Sequence, residues 1–297
     1  MTDVLNKLTA WHNGEYKPLG DVRISPLDFG FIHSDATYDV MRVNERKILF
    51  WQYHVERYHA ACNYYKFDQI DYEDILEISS NLVIKNNLKN AFIWICNWRG
   101  TPESGNPRDI CNAPQHQLIY VKPYYPINDN KPISLISWYE NKRSDLAYPQ
   151  VYKNFAWIEF TRAQLNVQEK AEVDSVILLD PEGYITEGPG FGVCFVKDDK
   201  VITPRRNVLK SVTIDIVKNL CRDLDIEFEK KDITLEEALS ADECFICSTS
   251  GGITPVNKFD HVWLKHKVTI ILMREFAEFV KGGYKQAHGY YHLIKEG

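Results

Sequence analysis

A proline-rich segment near the middle of the chain separates two parts that each mix strand and helix patterns. Residues 122–132 carry Pro123, Pro126 and Pro132 and show little apolar periodicity, as connections between domains do. This position predicts a small N-terminal α/β domain over residues 1–122, a connection over 123–132 and a larger domain over 133–297. We therefore expect a two-domain protein of the α/β (α+β) class.

The N-terminal part predicts two helices followed by two strands. The helices are indicated by apolar residues at helical spacing, namely Val55, Tyr58, Cys62 and Tyr65 in the first and Ile75, Ile78 and Leu82, behind Asp71, in the second. The strands are indicated by β-branched and aromatic runs at 92–96 and 118–121. The glycines and prolines of residues 99–108 predict a long loop between these strands.

The C-terminal part alternates strand and helix patterns. Strands are expected at 134–138 and 175–179, and a hairpin over 193–203 is expected to turn at Asp198 and Asp199. Apolar residues predict a helix over 217–224, and Thr234 with Glu237 forms a capping box that opens another helix. A last helix is expected to bury Ile270, Met273, Ala277 and Val280.

Composition excludes several classes of partner. The chain has 41 acidic and 35 basic residues, a net charge of -6 and no long basic block, so nucleic acid is not an expected partner. Apolar runs are short and no targeting segment is visible, which predicts no membrane association and a cytoplasmic location.

Cysteine usage fits a reducing compartment. The seven cysteines are scattered and odd in number, which predicts reduced thiols in apolar surroundings. Cys244 and Cys247 have the spacing of a zinc or redox half-site, but no second pair or nearby histidine completes one. Core packing is therefore the favoured interpretation of this pair, and we expect no metal site.

Three short segments in a fixed order carry an amine, a carboxylate and a group of hydroxyls. They are residues 152–157 with Lys153, residues 186–192 with Glu187, and residues 247–256, which are rich in hydroxyls and glycine. A primary amine forms a Schiff base with an aldehyde, a carboxylate keeps a pyridine ring protonated, and hydroxyls beside glycines bind phosphate. Only the combination indicates a cofactor, pyridoxal phosphate, which contains an aldehyde, a pyridine ring and a phosphate.

Lys153 is the candidate for the Schiff base. Such a lysine must lose its proton, and the neighbouring Tyr152, Phe155 and Trp157 offer an apolar setting that would lower its pKa. Taken alone, a lysine among aromatic residues is more often a surface residue whose stem packs on the rings. The other two segments favour the catalytic interpretation.

The other polar segments each have a structural alternative. Glu187 lies in a glycine-rich turn, where it either faces a pyridine nitrogen or is simply solvated. Ser211 and Thr213 precede a helix, where they either bind phosphate or cap the helix. The turn Ser-Thr-Ser-Gly-Gly at 248–252 lets backbone approach a ligand closely, although such a turn needs no ligand.

Over nearly its whole length the chain resembles the fold-type IV pyridoxal phosphate enzymes, the class IV aminotransferases. Within this group it is most similar to the (R)-selective amine transaminases and the D-amino acid aminotransferases. The similar motifs are residues 30–40, the Lys-Asn-x-x-Trp pattern from Lys153 to Trp157, and Phe191 after Glu-Gly-Pro-Gly. The resemblance implies a small α/β domain, a larger domain with a β-barrel-like core, and an active site where the domains meet near a neighbouring subunit, hence at least a homodimer.

The resemblance also implies roles for individual residues. Lys153 would form the internal aldimine and move protons, Glu187 would hold the pyridine nitrogen, and Arg57 would bind phosphate through its fork of donors. The other implied cofactor ligands are Val212, Thr213 and Thr249. The implied substrate-binding residues are His33, Tyr38, Val40, Arg99, Arg108 and Ser250, with the two arginines as candidates for a mobile carboxylate clamp. Without the resemblance, Arg57 would be taken for a solvated helix residue, and a solvated loop arginine is an equal alternative for Arg108.

The activity implied is transfer of an amino group from an (R)-amine or D-amino acid to a 2-oxo acid such as pyruvate, with ping-pong kinetics. Branched-chain enzymes usually carry a tyrosine five residues beyond the lysine, whereas this chain has Ile158 there. A branched-chain L-amino acid aminotransferase and a lyase of the aminodeoxychorismate type are the alternatives. A cofactor-binding protein without turnover is a third.

Overall fold

The computed structural model describes residues 2–124, 131–170, 173–282 and 291–295. Residues 125–130 of the predicted connection lie outside these described residues. The chain divides into two compact units. Unit 1 contains residues up to 124 together with 152–156 and 291–295, and unit 2 contains residues 131–151 and 157–282. The predicted domain ranges are continuous in sequence, whereas these units are not, and the segment that carries Lys153 is grouped with unit 1.

The described residues form fifteen strands and eight α-helices. The strands are β1 (Thr9–His12), β2 (Glu15–Pro18), β3 (Ala36–Asn44), β4 (Lys47–Leu49), β5 (Ala91–Arg99), β6 (Gln115–Pro123), β7 (Ile133–Trp138), β8 (Ser175–Leu178), β9 (Gly192–Lys197), β10 (Lys200–Pro204), β11 (Phe228–Lys231), β12 (Glu243–Ser248), β13 (Gly252–Phe259), β14 (Val262–Trp263) and β15 (Tyr291–Leu293). The helices are α1 (Thr2–Asn6), α2 (Phe29–Ile32), α3 (Trp51–Tyr65), α4 (Tyr72–Lys85), α5 (Ile158–Lys170), α6 (Val212–Asp223), α7 (Leu235–Leu239) and α8 (Lys267–Lys281).

A seven-stranded antiparallel sheet forms the centre of unit 1, in the order β15-β4-β3-β5-β6-β1-β2. Helices α3 and α4 pack on one face of this sheet, where apolar side chains from both helices and from β3, β5 and β6 form a single core. The two predicted helices and the two predicted strands are confirmed. The predicted helix positions Val55, Tyr58, Cys62, Ile75, Ile78 and Leu82 are all buried, while Tyr65 is partly buried.

Unit 2 is built on a mixed sheet of eight strands. Its order is β11-β10-β9-β12-β13-β7-β8, with β14 paired to β13. The parallel pairs are β7 with β8, β7 with β13, and β10 with β11. The predicted hairpin is confirmed, because β9 and β10 pair around Asp198 and Asp199, whose φ values of 51° and 61° suit a two-residue turn between twisted strands.

The two last predicted helices have different outcomes. The capping box of α7 is confirmed, since Thr234 Oγ1 accepts from Glu237 N and the Glu237 carboxylate accepts from Thr234 N. Helix α8 is present, but of its four predicted core positions only Val280 is buried. The residues that it buries are Val268, Thr269, Leu272, Phe276, Phe279 and Val280. Residues 270–273 are all apolar, so two faces of α8 satisfy helical spacing and the contacts of the folded unit select between them.

The cysteines are all free, and six of them are buried, with Cys111 exposed. Burial raises the pKa of the Cys62 and Cys221 thiols to about 12, which makes both poor nucleophiles. Within the described ranges, no group of three or more histidine, cysteine or acidic side chains is placed to hold a metal ion. None of the described helices has the length and apolar content needed to cross a bilayer.

Candidate active site

The segment that carries Lys153 lies along the part of β3 that β4 leaves unpaired. Thr37 Oγ1 donates to Lys153 O at 2.6 Å, and Phe155 N donates to Ala36 O at 3.4 Å. Lys153 Nζ lies 4.5 Å from the centre of the Tyr38 ring, and the centre of the Phe155 ring is 4.6 Å from the same ring. Two backbone contacts therefore fix the lysine beside buried aromatic surface.

Asp39, His54 and Arg57 form a buried charged cluster in unit 1. Arg57 Nε and Nη2 donate to the two oxygens of Asp39 at 2.7 and 2.8 Å, and the Asp39 side chain has no exposed surface. His54 Nδ1 lies 2.8 Å from Asp39 Oδ1 and 3.3 Å from Arg57 Nη2. The shorter contact assigns the ring hydrogen to Nδ1, which donates to Asp39. Arg57 is thus a buried, oriented guanidinium rather than the solvated helix residue of the alternative interpretation.

Burial would raise the pKa of the Asp39 carboxyl, but Arg57 and His54 together hold it well below its usual value. Burial lowers the pKa of His54, and this effect outweighs the opposing effect of Asp39. At neutral pH the cluster therefore contains a charged aspartate, a charged arginine and a neutral histidine. These charge states explain how one buried carboxylate accepts three hydrogen bonds from two side chains.

The cluster predicts a loss of stability on acidification. A neutral buried histidine takes up its proton mainly in the unfolded chain, so the free energy of unfolding should fall as pH drops below about 6.5, by up to about 1.4 kcal/mol per pH unit. Asp39, with its lowered pKa, adds a second loss as pH drops below about 3.9. Chemical denaturation at pH 5 to 8 measures the first effect.

His54→Asn keeps a donor toward Asp39 but does not titrate, so it should flatten the slope between pH 5 and 7. His261→Gln changes an exposed histidine and is the matched control. Equal slopes in the wild type and His54→Asn would contradict the neutral, buried state of His54.

Glu187 in unit 2 is buried, which excludes the solvated alternative. Its Oε1 accepts from Arg143 Nε at 3.0 Å, from Arg143 Nη2 at 2.8 Å and from Leu209 N at 3.1 Å. Arg143 also donates through Nη1 to Glu159 Oε1 at 2.6 Å. One buried guanidinium thus neutralises and orients two carboxylates.

Sequence reasoning missed Arg143, which is only 6% exposed. Its guanidinium lies 4.6 Å from the centre of the Phe160 ring. Burial would lower the pKa of Arg143, but Glu187 and Glu159 raise it overall. No periodic pattern marks a residue in the loop between β7 and α5, and the only signal in the sequence was a pair of cations, Lys142 and Arg143, ahead of the lysine segment.

The turn after Glu187 requires glycine at position 188. A Cβ on Gly188 would lie 2.5 Å from the Val176 carbonyl oxygen and would overlap the Phe191 ring. Backbone bonds between Gly188 and Phe191, at 3.1 and 3.3 Å, close the turn. Because this turn lies so close to β8, Glu187 is held in the interior of unit 2.

The start of α6 lies beside a cavity of about 180 Å³. Glu187, Leu209, Lys210, Ser211 and Ile214 are among the residues that line it. Ser211 Oγ accepts from Ile214 N at 3.3 Å, so Ser211 caps the helix, as the alternative for this residue proposed. Val212 and Thr213 form the first turn of α6, and both are buried.

The turn between β12 and β13 is organised by Ser248. Its Oγ accepts from Gly251 N at 2.9 Å and lies 3.1 Å from Ser250 Oγ. Thr249 and Ser250 are partly buried on this turn. The phosphate contact expected of Thr249 remains a prediction.

The family model for class IV amino-transferases matches residues 36–259, three quarters of the chain. The chain is a class IV aminotransferase. The Methanocaldococcus jannaschii protein named "Putative branched-chain-amino-acid aminotransferase" is 26% identical over 273 residues, covering 91% of this chain and 94% of that protein. A D-alanine aminotransferase from Staphylococcus aureus is 25% identical over 259 residues, covering 84% of this chain and 88% of that enzyme.

Solved structures share the fold of this aminotransferase. A branched-chain aminotransferase from Thermoproteus uzoniensis with norvaline superposes with a TM-score of 0.91 at 19% identity, covering 97% of this chain and 99% of that chain. The branched-chain amino acid aminotransferase from Thermobaculum terrenum, in its PLP-form, gives a TM-score of 0.89 at 21% identity, covering 98% of this chain and 100% of that chain. The predicted fold class is confirmed.

The class IV aminotransferase uses pyridoxal 5′-phosphate, and its residues have the chemistry that this cofactor needs. Unit 1 provides a primary amine on Lys153 and the oriented guanidinium of Arg57. Unit 2 provides the charged carboxylate of Glu187 next to a cavity and a capped helix start. Amine, carboxylate and anion-binding groups are the set expected for an aldehyde, a pyridine nitrogen and a phosphate.

The residues implied to bind substrate differ in their position in the fold and in their burial. Tyr38 and Val40 lie on one face of β3, and His33 is an exposed residue directly after α2. Arg99 is the buried last residue of β5, not a loop residue, and its Nε donates to Asp35 at 2.7 Å. Arg108 is exposed in the segment between β5 and β6. Of the two arginines, only Arg108 has the setting expected of a mobile clamp.

Proposed function

We propose that this aminotransferase moves the amino group of a D-amino acid or an (R)-amine to a 2-oxo acid such as pyruvate, in two half-reactions with ping-pong kinetics. The observation that carries this choice is Ile158, five residues beyond Lys153. Its apolar side chain is 68% exposed and provides no phenol at the position where branched-chain enzymes usually have tyrosine. Similarity to D-alanine aminotransferases over 84% of the chain supports the same choice.

Lys153 is proposed as the residue that binds the cofactor covalently and then moves a proton at the substrate carbon. Its Nζ lies against the Tyr38 ring, which is only 4% exposed. The neutral form of a lysine amine is the one that attacks an aldehyde and accepts a proton. The backbone contacts of residues 153 and 155 with β3 limit the directions from which Nζ can approach the substrate.

Glu187 is proposed to hold a proton on the pyridine nitrogen. Bound pyridoxal phosphate supplies an electron-accepting ring that stabilises negative charge at the substrate carbon. The carboxylate must stay charged to favour that proton, and the Arg143 guanidinium with the Leu209 N–H keeps it charged and fixed in direction.

Arg57 is proposed to bind the cofactor phosphate, together with Val212, Thr213 and Thr249. Asp39 orients the Arg57 guanidinium through two hydrogen bonds, and His54 fixes Asp39 in turn. Such an arrangement lowers the entropy that a long arginine side chain loses when it binds an anion. Asp39 and His54 are therefore positioning residues in this proposal.

A branched-chain L-amino acid aminotransferase is the second candidate. The observation in its favour is the similarity over 91% of the chain to the M. jannaschii protein. An experiment with matched donors separates the two candidates, because they differ in the handedness of the amino acid that reacts.

Purified protein loaded with pyridoxal phosphate should be mixed separately with D-alanine, (R)-1-phenylethylamine and L-leucine, and the visible absorption of the cofactor followed. We expect D-alanine or the (R)-amine to bleach the band, and pyruvate to restore it, as a two-step exchange requires. Bleaching by L-leucine alone would support the branched-chain candidate. Absence of bleaching by all three donors would contradict both.

A further inference from the structure

The Lys-Asn-x-x-Trp pattern contains an asparagine to which the proposed function gives no role. Asn154 directly follows Lys153, and its side chain is buried. Its Oδ1 accepts from Ala156 N at 2.9 Å, and its Nδ2 donates to Tyr152 O at 3.0 Å. One buried amide therefore holds the backbone on both sides of the lysine.

Two tyrosines at the end of α3 contact this segment from a second direction. Tyr65 Oη accepts from Asn154 Nδ2 at 3.2 Å, and the Tyr64 ring stacks on the Tyr152 ring, with centres 4.4 Å apart and planes 16° apart. Helix α3 also carries Arg57. A helix is a rigid support, so α3 fixes the lysine segment relative to the proposed phosphate ligand within unit 1.

Strand β3 provides a third anchor. Thr37 is fully buried, and its hydroxyl donates to Lys153 O at 2.6 Å. The next residue, Tyr38, points to the opposite face of the sheet, because side chains alternate along a strand. Lys153 Nζ lies 4.5 Å from the centre of the Tyr38 ring. Adjacent residues of one strand therefore contact the backbone oxygen and the amine of the same lysine.

A lysine that moves a proton depends on such anchors, because its four-carbon side chain is flexible. In the proposed function, the Lys153 amine leaves the cofactor when the donor binds and must stay within reach of the substrate carbon. A fixed backbone limits the positions that Nζ can occupy. Small displacements of a reacting group lower reaction rates by large factors.

We propose that Asn154 is a positioning residue for Lys153, and that Thr37 has the same role. Both act through hydrogen bonds to the backbone of residues 152, 153 and 156. This inference rests on the proposed function, because it needs Lys153 as the group that moves the proton. Loss of either side chain then slows the proton transfer and leaves donor binding intact.

Single-turnover kinetics of the holoenzyme with a reactive amino donor test the role of Asn154. Asn154→Ala should lower the maximal rate constant by about tenfold or more. The donor concentration at half-maximal rate should change by no more than about twofold, because the lost effect is specific to the chemical step.

Asn86→Ala is the matched control, because Asn86 makes the same pattern of contacts in the same unit. Its Oδ1 accepts from Thr9 N at 2.7 Å, and its Nδ2 donates to Thr9 O at 2.9 Å. This variant loses a comparable pair of hydrogen bonds away from Lys153. It should keep the wild-type rate constant.

Two substitutions of Thr37 isolate its hydroxyl. Thr37→Val keeps the shape of the side chain but cannot donate to Lys153 O, so it should slow the reaction as Asn154→Ala does. Thr37→Ser keeps the donor and should restore most of the wild-type rate. This pair carries the test if Asn154→Ala does not fold.

Rescue by a free amine separates positioning from a purely structural role. In Lys153→Ala, added ethylamine supplies the base from solution, and this base has no backbone that needs to be oriented. Asn154→Ala and Thr37→Val should therefore leave the ethylamine-dependent rate constant of Lys153→Ala unchanged, as a double-mutant cycle requires of residues that act only through the lysine. A further loss in the Lys153→Ala background would overturn the inference.

Attachment of pyridoxal phosphate to the unliganded protein gives a readout that does not depend on turnover. Its rate, followed by absorbance, should be lower in Asn154→Ala and Thr37→Val than in Asn86→Ala and the wild type. Wild-type rates of attachment and turnover in both variants would overturn the inference while transamination itself persists. Slower attachment in the variants of a protein that transaminates no donor would overturn the proposed function instead.

Discussion

Lys153→Ala is expected to lower the rate of transamination by at least about 10³-fold, because it removes both the covalent attachment and the group that moves a proton at the substrate carbon. The fold should be unaffected, since Thr37 contacts the backbone oxygen of residue 153 and not its side chain. Single-turnover kinetics with D-alanine, with the cofactor in excess, measure the rate. Mass spectrometry after borohydride reduction measures attachment, which should occur on the peptide that contains Lys153 and disappear in the variant.

Lys85→Ala and Lys210→Ala are the controls for Lys153→Ala. Lys85 tests a lysine over an aromatic ring in the same unit, and Lys210 tests a lysine that lines the cavity beside Glu187. Both variants should retain covalent attachment. Attachment to another lysine in the wild type, or full activity of Lys153→Ala, would remove Lys153 from the proposed mechanism.

Local patterns in the sequence predicted much of the fold. Helices α3 and α4 follow from a 3.6-residue period with one apolar face, and the turn of the β9–β10 hairpin follows from two aspartates that tolerate left-handed backbone. The capping box of α7 also depends only on residues that are close in sequence. Features that depend on residues within one helix or hairpin could therefore be predicted from the sequence.

Features that depend on contacts between distant segments could not be predicted from the sequence. The face that α8 buries depends on which of two apolar sets meets the rest of unit 2, and helical spacing alone cannot choose. The grouping of residues 152–156 with unit 1 depends on contacts with β3, more than 100 positions earlier in the chain. The same reason explains why Asp39 and Arg143 were not recognised, since each acquires its role from an ion pair that sequence spacing does not encode.

Arg143→Met is expected to destabilise the protein by about 3–5 kcal/mol, because it leaves the carboxylates of Glu187 and Glu159 buried without a compensating charge. The side chains of these glutamates are only 7% and 13% exposed, so water cannot replace the guanidinium. Urea denaturation at pH 7.5 measures the change in the free energy of unfolding. Arg205→Met is the matched control, because Arg205 also holds a carboxylate through two bonds, to Asp232, but its side chain is 62% exposed and its loss should have little effect.

The pH dependence of Arg143→Met distinguishes this electrostatic cause from a packing defect. Without the guanidinium, burial should raise the pKa values of both glutamates in the folded state above those in the unfolded chain. Stability contributed by a group with a raised folded-state pKa is present at low pH and lost as pH rises, so the deficit of Arg143→Met relative to wild type should shrink between pH 8 and pH 5. Adding Glu159→Gln should recover part of the deficit at pH 8 by removing one of the two charges. A deficit that is independent of pH and unchanged by Glu159→Gln would mean that Arg143 acts mainly through its packing on Phe160, and that Glu187 does not depend on it for its charge.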